Sequence, residues 1–236
     1  IEQGIMSAWA ASKIDNSVYF LGNDGIAYRL DGYTPLRVSH HPFEQAVEGY
    51  DDKSCRVMAW AEGGHKFIAY RFAEGCWLYD AATQLWHERN SYLSPTWRGK
   101  FALAAYKSVL VGDSDSNVLG KLTPDVFTEF GEVLRSECTS AAVTDQARLI
   151  PHSRLELCFE TGVGTAAGED PQAMLQFSDD GGRTWSSEQW RSLGRIGQYK
   201  HRVIWNRLGS SRDRVYRYAI SDPVRRTLTQ AFLNGA

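Results

Sequence analysis

The side chains that come first to hand for catalysis are the adjacent acids Asp51-Asp52 and Asp179-Asp180. Glycoside hydrolysis uses two carboxylates on opposite sides of one bond, a proton donor and a base or nucleophile. Neighbouring acids in Gly- and Ser-rich turns instead read as solvated caps. His40-His41, just before Pro42, supplies two nitrogens for a metal but implies no third ligand, so it reads as a loop pair. The four cysteines, Cys55, Cys76, Cys138 and Cys158, form no C-x-x-C pair. They read as reduced, buried thiols, not as zinc ligands or disulfides. The string GTAAG at 164–168 has the small residues of a phosphate loop without its Lys or a following helix. No G-x-S-x-G is present, and no nucleophile has a recognisable base beside it. The reading is of a non-enzyme with no catalytic residue, no metal and no cofactor.

The densest polar string is FSDDGGRTWSS at 177–187. It fits the pattern S-x-D-x-G-x-T-W at Ser178, Asp180, Gly182, Thr184 and Trp185, which is similar to the Asp-box of sialidase-type propellers. The physics of such a box is local. A short Asp accepts N–H bonds across a hairpin, Gly takes a conformation closed to other residues, and Thr adds a turn bond. The Trp covers the base of the loop with apolar area. These are folding roles. A sialidase would also need an arginine triad, an acid Asp and a Tyr–Glu pair, and such enzymes show several boxes where this chain shows one. Two rival functions remain on the sequence: a lectin-like propeller with Trp97 or Trp190 as sugar platforms and, behind it, a sialidase-like hydrolase.

The elements that would position these residues are short strands joined by tight turns. At 236 residues, 43% hydrophobic and 23% charged, the chain has the composition of a soluble protein with a core. No apolar run approaches the roughly 18 residues of a membrane span, and no basic leader precedes an apolar stretch. The first residue is Ile1, which reads as part of a longer protein. NSVYFLGNDGIAYRLDG at 16–32 is a hairpin around Asn23-Asp24-Gly25, followed by the run TPLRVS. RVMAWAEGGHKFIAYRFAEGCWLYD at 56–80 alternates strands with Gly-Gly and Glu-Gly turns, and 101–122 repeats the plan. Val18, Phe67 and Val109 recur at about one blade of 40–50 residues. Only HPFEQAVEGY at 41–50 reads as a helix, of one or two turns. WLYDAATQLWHE at 77–88 is similar to a kelch-type hairpin, with Asp80 and Thr83 closing the turn and Trp86 packing on the neighbouring blade.

The predicted fold is all-β: β-propeller-like blades, four or five in number and short of a closed ring, with an Asp-box-containing C-terminal β module. The predicted division is 1–140 for the blades and 141–236 for the module, packed into one propeller-like body. Charge is uneven along the chain. Residues 179–236 carry eleven Lys and Arg against five Asp and Glu, and 1–178 carry fifteen against twenty-three.

The last ninety or so residues resemble a specific family. The matching positions are Glu160-Thr161-Gly162, Asp170-Pro171, the box Ser178–Trp185, Gly194, Gly197, Tyr199, Arg202 and Trp205. Leu208-Gly209, Arg212-Asp213-Arg214-Val215 and Ser221-Asp222-Pro223 follow, and VYFLGNDGIAYRLDGYTPLRVSHHPFEQAV upstream agrees. Together they are similar to the packaged-DNA stabilisation, or tail hub (nozzle), proteins of short-tailed phages. The resemblance implies a virion structural protein that assembles as a homo-oligomeric ring under the portal and helps close the channel on packaged DNA. It implies other tail proteins as partners: the portal adaptor, and the tail needle or tailspike. It places the protein in the virion tail, assembled in the host cytoplasm, with no membrane contact and no catalytic residue to carry over. Three readings of the charge split stay open: DNA contact, contact with an acidic neighbouring subunit, or a solvated face of internal pairs. The candidate contact residues are Arg191, Arg195, Lys200, Arg212, Arg214, Arg225 and Arg226.

Overall fold

The computed structural model describes residues 3–160 and 170–234. The GTAAG string, Thr161 and Gly162 lie outside the described residues. The chain divides into two compact units, Ile1–Thr123 and Pro124–Ala236.

The first unit opens with an antiparallel meander of β1 (Ala11–Ile14), β2 (Ser17–Leu21), β3 (Ala27–Asp31) and β4 (Thr34–Arg37), in that order across the sheet. A second meander repeats the plan with β5 (Arg56–Glu62), β6 (His65–Arg71), β7 (Cys76–Asp80) and β8 (Leu85–Glu88). The third sheet has three strands, β9 (Gly99–Ala105), β10 (Ser108–Asp113) and β11 (Leu119–Leu122). The first strands lie side by side, β1 on β5 and β5 on β9, the arrangement of successive propeller blades. Val18, Phe67 and Val109 each fall on the second strand of their sheet. The four or five blades expected of the whole chain give way to two complete meanders and one of three strands, because the second unit folds on another plan.

Between the first two sheets lies one apolar core. Tyr19, Leu21 and Ala27 meet Val57, Ile68, Tyr70 and Tyr79, all buried. The one α-helix among the described residues, α1 (His41–Val47), closes this core with Phe43 and Val47, four residues apart and therefore on one face. Its start is fixed twice over: Pro42 sits in the first turn, and His40 Nδ1 accepts the Phe43 N–H at 3.2 Å. Trp86 does reach the neighbouring sheet's end. Its indole N–H donates to Val38 O at 3.0 Å, and its ring lies 4.6 Å from that of Phe43. Asp80 closes the β7–β8 turn by accepting from Ala82 N and Thr83 Oγ1 at 3.0 and 2.7 Å, and it also meets His65 Nδ1 at 2.7 Å. Burial works against its charge, but these bonds outweigh it and hold its carboxyl down at about 2.

The second unit is built on two sheets. One runs β14 (Ser136–Thr139), β22 (Asp213–Ile220), β18 (Gln172–Ser178) and β19 (Gln189–Ser192), with β15 (Val143–Thr144) also on β22. The other is β20 (Val203–Asn206), β17 (Arg154–Phe159) and β23 (Leu228–Leu233). Two short pairs complete it, β12 (Thr128–Glu129) with β13 (Glu132–Val133) and β16 (Ile150–Pro151) with β21 (Ser210–Ser211). Leu155, Leu157, Phe159, Val203 and Trp205 of the three-stranded sheet share a core with Ala173, Leu175, Tyr216 and Ile220 of the larger one. Period-two strands facing each other this way bury one face of each sheet, as in a sandwich. Among the described residues no helix is long and apolar enough to cross a membrane.

Candidate functional site

The polar turn at 178–185 leaves the end of β18, where Ser178 is 2% exposed. Ser178 Oγ donates to Asp180 Oδ1 at 2.7 Å and accepts Gly182 N–H at 2.8 Å. Asp180 Oδ1 accepts the N–H groups of Arg183 and Thr184, both at 2.9 Å, and Oδ2 takes the Thr184 hydroxyl at 2.6 Å. Gly181 and Gly182 hold φ of +73° and +94°, a region closed to most side chains. The Thr184 hydroxyl, then its N–H, then the Ser178 hydroxyl hold the Asp180 carboxyl well below the usual carboxylate range. Trp185 is half-buried under the Arg217 guanidinium, which sits 3.9 Å above its ring. Both oxygens of Asp180 accept from their own turn, so the carboxylate is spent on shape. Asp180→Ala is therefore expected to lower the melting temperature by a few degrees while leaving any binding activity of the folded protein intact. A variant with unchanged melting and lost binding would reverse this assignment.

Next to Asp180 the turn is pinned from below. Arg214 of β22 is 2% exposed, and its Nε and Nη2 reach both oxygens of Asp179 at 2.5 and 2.7 Å. Its Nη1 donates to Leu208 O at 2.5 Å, and its guanidinium lies 4.1 Å over the Phe177 ring. Burial would lower the Arg214 pKa; the Asp179 carboxylate and the Tyr216 oxygen more than offset it, so the group is held charged. This corrects the reading of Arg214 as an outward contact. Residues 214, 216, 218 and 220 alternate inward along β22, so the arginine shares the inner face with Tyr216.

A second group came together that no spacing announced. His152 is 1% exposed, with Nε2 2.8 Å from Ser211 Oγ and Nδ1 2.8 Å from Tyr216 Oη. A serine against a histidine invites comparison with a nucleophile and its base. Either neutral tautomer satisfies both hydroxyls, one accepting from the ring's N–H and the other donating to its lone pair. What sets the pair apart from a working nucleophile is enclosure: His152 is 1% and Ser211 6% exposed, so the serine hydroxyl faces the ring and the core and no substrate. Burial, and then the Arg214 charge, keep the ring neutral by pushing its pKa down. Asp179–Arg214 and Tyr216–His152–Ser211 form a polar brace inside the sandwich, with the Arg214 guanidinium 6.0 Å from the centre of the Tyr216 ring.

The other candidate residues separate on exposure. Arg191, Arg195, Lys200 and Arg212 are exposed. Arg225 is exposed but paired with Glu160 at 3.1 Å, and Arg226 is half-buried, donating to Asp222 O at 3.0 Å and Phe127 O at 3.3 Å. Among the described residues Arg191, Arg195 and Lys200 make no ion pair. With Ile196 and Tyr199, 44% and 71% exposed, they give the β19–β20 connection a basic, partly apolar rim. The charge split of the sequence does not follow the fold. The first unit holds twelve basic and fourteen acidic residues, and the second fourteen of each.

Trp97 is 1% exposed and cannot offer a platform to a sugar, which corrects that reading; Trp190 is 51% exposed. Trp97 is enclosed by Trp60, 5.7 Å between ring centroids, and by the Arg89 guanidinium at 4.4 Å. Cys55 and Cys76 are buried, and burial pushes the Cys55 thiol up to about 12. Cys138 is exposed and Cys158 half-buried, against the expectation of four buried thiols, because Cys138 sits on the edge strand β14. His40 caps α1 and Asp51 caps the short turn Asp52–Ser54, accepting Lys53 N–H at 3.1 Å. Among the described residues no three His, Cys, Asp or Glu side chains gather as a metal would need.

Comparison with known proteins adds two matches. Residues 1–127 match the family described as bacteriophage P22 Gp10, beta-propeller, and residues 135–236 match bacteriophage P22 Gp10, beta-sandwich. No curated protein matches the chain. Among solved structures, the extracellular domain of a one-component system from B. thetaiotaomicron is 11% identical, with a TM-score of 0.34. The match covers 88% of this chain and 27% of that one, so the chain spans about a quarter of that protein's length. An exo-beta-1,3-galactanase from Phanerochaete chrysosporium is 9% identical over 95% of this chain and 68% of its own, with a TM-score of 0.27. Likenesses this distant say nothing of activity.

Proposed function

The chain belongs to the bacteriophage P22 Gp10 family and is a structural protein of a phage tail, and from that premise we propose that it is a ring-forming part of the hub that retains packaged DNA. The single observation that carries this is the pairing of the two matches, propeller then sandwich, in one chain. A non-catalytic role agrees with the site. The Asp-box carboxylate is closed on its own turn, and the serine beside His152 is buried, 6% exposed. The partners proposed are further copies of the chain, the portal adaptor, and the tail needle or tailspike. Assembly is proposed to take place in the host cytoplasm.

The β19–β20 rim is the surface proposed for the contact between copies. A heterologous contact needs unlike surfaces, and unpaired cations facing a neighbour's acids fix register and orientation. Such exposed pairs are screened beyond about 8–10 Å at physiological ionic strength. Assembly is therefore expected to weaken as salt rises. Reversing Arg191, Arg195 and Lys200 to Glu is expected to block it while leaving the isolated chain folded and its affinity for duplex DNA nearly unchanged. Sedimentation and a DNA titration, each at two salt concentrations, read both outcomes. Intact assembly with loss of salt-sensitive DNA binding would assign the rim to DNA instead.

A further inference from the structure

The buried imidazole of His152 occupies a joint, with ties running from it in three directions. Its backbone N–H donates to Gly209 O at 2.7 Å, and its carbonyl accepts Leu208 N–H at 2.9 Å. Just before it, β16 pairs with β21, and just after it Ser153 O accepts Arg207 N–H at 2.9 Å. The ring then bridges Ser211 of β21 to Tyr216 of β22. The segment 207–211 is thus held to the start of β17 by backbone bonds and to β22 through one aromatic ring.

We propose that His152 is an acid-sensitive latch of the second unit: neutral, it fastens the 207–211 segment and β22 to the start of β17, and protonated, it releases them. The neutral ring satisfies both hydroxyls because it offers one N–H and one lone pair. An imidazolium has no lone pair, so the hydroxyl that donated to the ring loses its acceptor. The new cation also lies, with little water, beside the buried guanidinium. The charges acting on the ring are Arg214 from β22 and Asp179 from the turn after β18, and Asp179 is already bound on both oxygens by that same arginine. β21 offers only the Ser211 hydroxyl, and Asn234 at the end of β23 binds Ser153 and Pro151 without a charge.

The direction of the pH effect follows. An unfolded histidine takes its proton near pH 6.5. The folded ring resists it, because burial and then Arg214 oppose the charge. Below about pH 6.5 the unfolded or opened state therefore binds more protons, and the closed state loses stability as pH falls through that value. The carboxylates held low, Asp180 and Glu156 among them in this unit, act at more acid pH and leave this window to imidazole. His87 is a second histidine whose pKa burial lowers, but it belongs to the first unit.

The test is native-state amide exchange on the whole chain, corrected for the intrinsic pH dependence of exchange. The amides of His152, Arg207 and Leu208 are expected to exchange about tenfold faster at about pH 5.5 than at about pH 7.5. In His152→Gln that step is expected to vanish, while His87→Gln leaves it in place. Equal corrected rates at both pH values in the wild type overturn the proposal, and so does a full step in His152→Gln. Should His152→Gln fail to fold, the wild-type ring titration by NMR decides: a midpoint below about 6.5 that coincides with faster exchange supports the latch, and one at or above it overturns it.

Discussion

Replacing Arg214 by Ala is expected to cost about 3 kcal/mol of folding stability, at the lower end for breaking a buried ion pair, because Asp179 is half-exposed and regains water. The loss has three parts visible around the side chain. Asp179 loses the clamp that holds the Asp-box turn to β22, Leu208 O loses its donor, and the Phe177 ring loses the cation stacked on it. Arg214→Lys is expected to recover little, since a single ammonium cannot serve both carboxylate oxygens and the carbonyl at once. Asp179→Asn is expected to cost less than Arg214→Ala, because the guanidinium keeps the Leu208 carbonyl. Urea unfolding followed by tryptophan fluorescence reads all three, and an Arg214→Ala midpoint equal to wild type would remove the brace from the account.

Trp97→Ala is expected to be as damaging in the first unit, at about 3–5 kcal/mol for deleting a large, fully enclosed aromatic. Trp97 is 1% exposed and packs on Trp60 and under Arg89. The backbone is shaped around it: a Cβ at Gly99 would lie 2.5 Å from the Trp97 ring, so Gly99→Ala is expected to destabilise by overpacking. Thermal melts with a glycan-binding assay separate this from a role in sugar recognition. Lost stability without any glycan affinity to lose is the expected result; unchanged melting with lost glycan binding would make Trp97 a platform after all.

The first unit was legible because its turns carry their own chemistry. Gly63-Gly64 at φ of +58° and +87° announces a hairpin, and His40-Pro42-Phe43 announces the start of α1. The blade period was legible for the same reason, since Val18, Phe67 and Val109 recur on successive second strands. The β9–β10 turn shows the limit. Tyr106 and Lys107 take φ of 52° and 58° with no glycine, so the sheet around them, not their type, imposes the turn. The strands between 128 and 151 are two to four residues long, too short for a period to show.

In the second unit the alternation along β22 was present but misleading. An arginine at 214 reads as an outward residue, yet it lies on the same face as Tyr216 and Ile220 because a partner carboxylate waits in the turn after β18. That pairing spans 35 residues, and His152 meets Ser211 and Tyr216 across 59 and 64. The first is made by the pairing of β18 with β22 and the others by the approach of residue 152 to β21 and β22, and no local pattern encodes them. The Asp-box was legible for the contrary reason, since its bonds close within five residues of Ser178 to Thr184 or fewer.

The central claim, a structural tail protein that retains packaged DNA, is tested most directly by nuclease protection. DNA-filled heads lacking this protein are to be completed with the remaining tail proteins, with and without it, and the encapsidated DNA exposed to nuclease. The account predicts DNA lost or digested without the protein and protected with it, and protection reduced by Arg214→Ala in proportion to the variant's loss of fold. Full protection in its absence would contradict the claim.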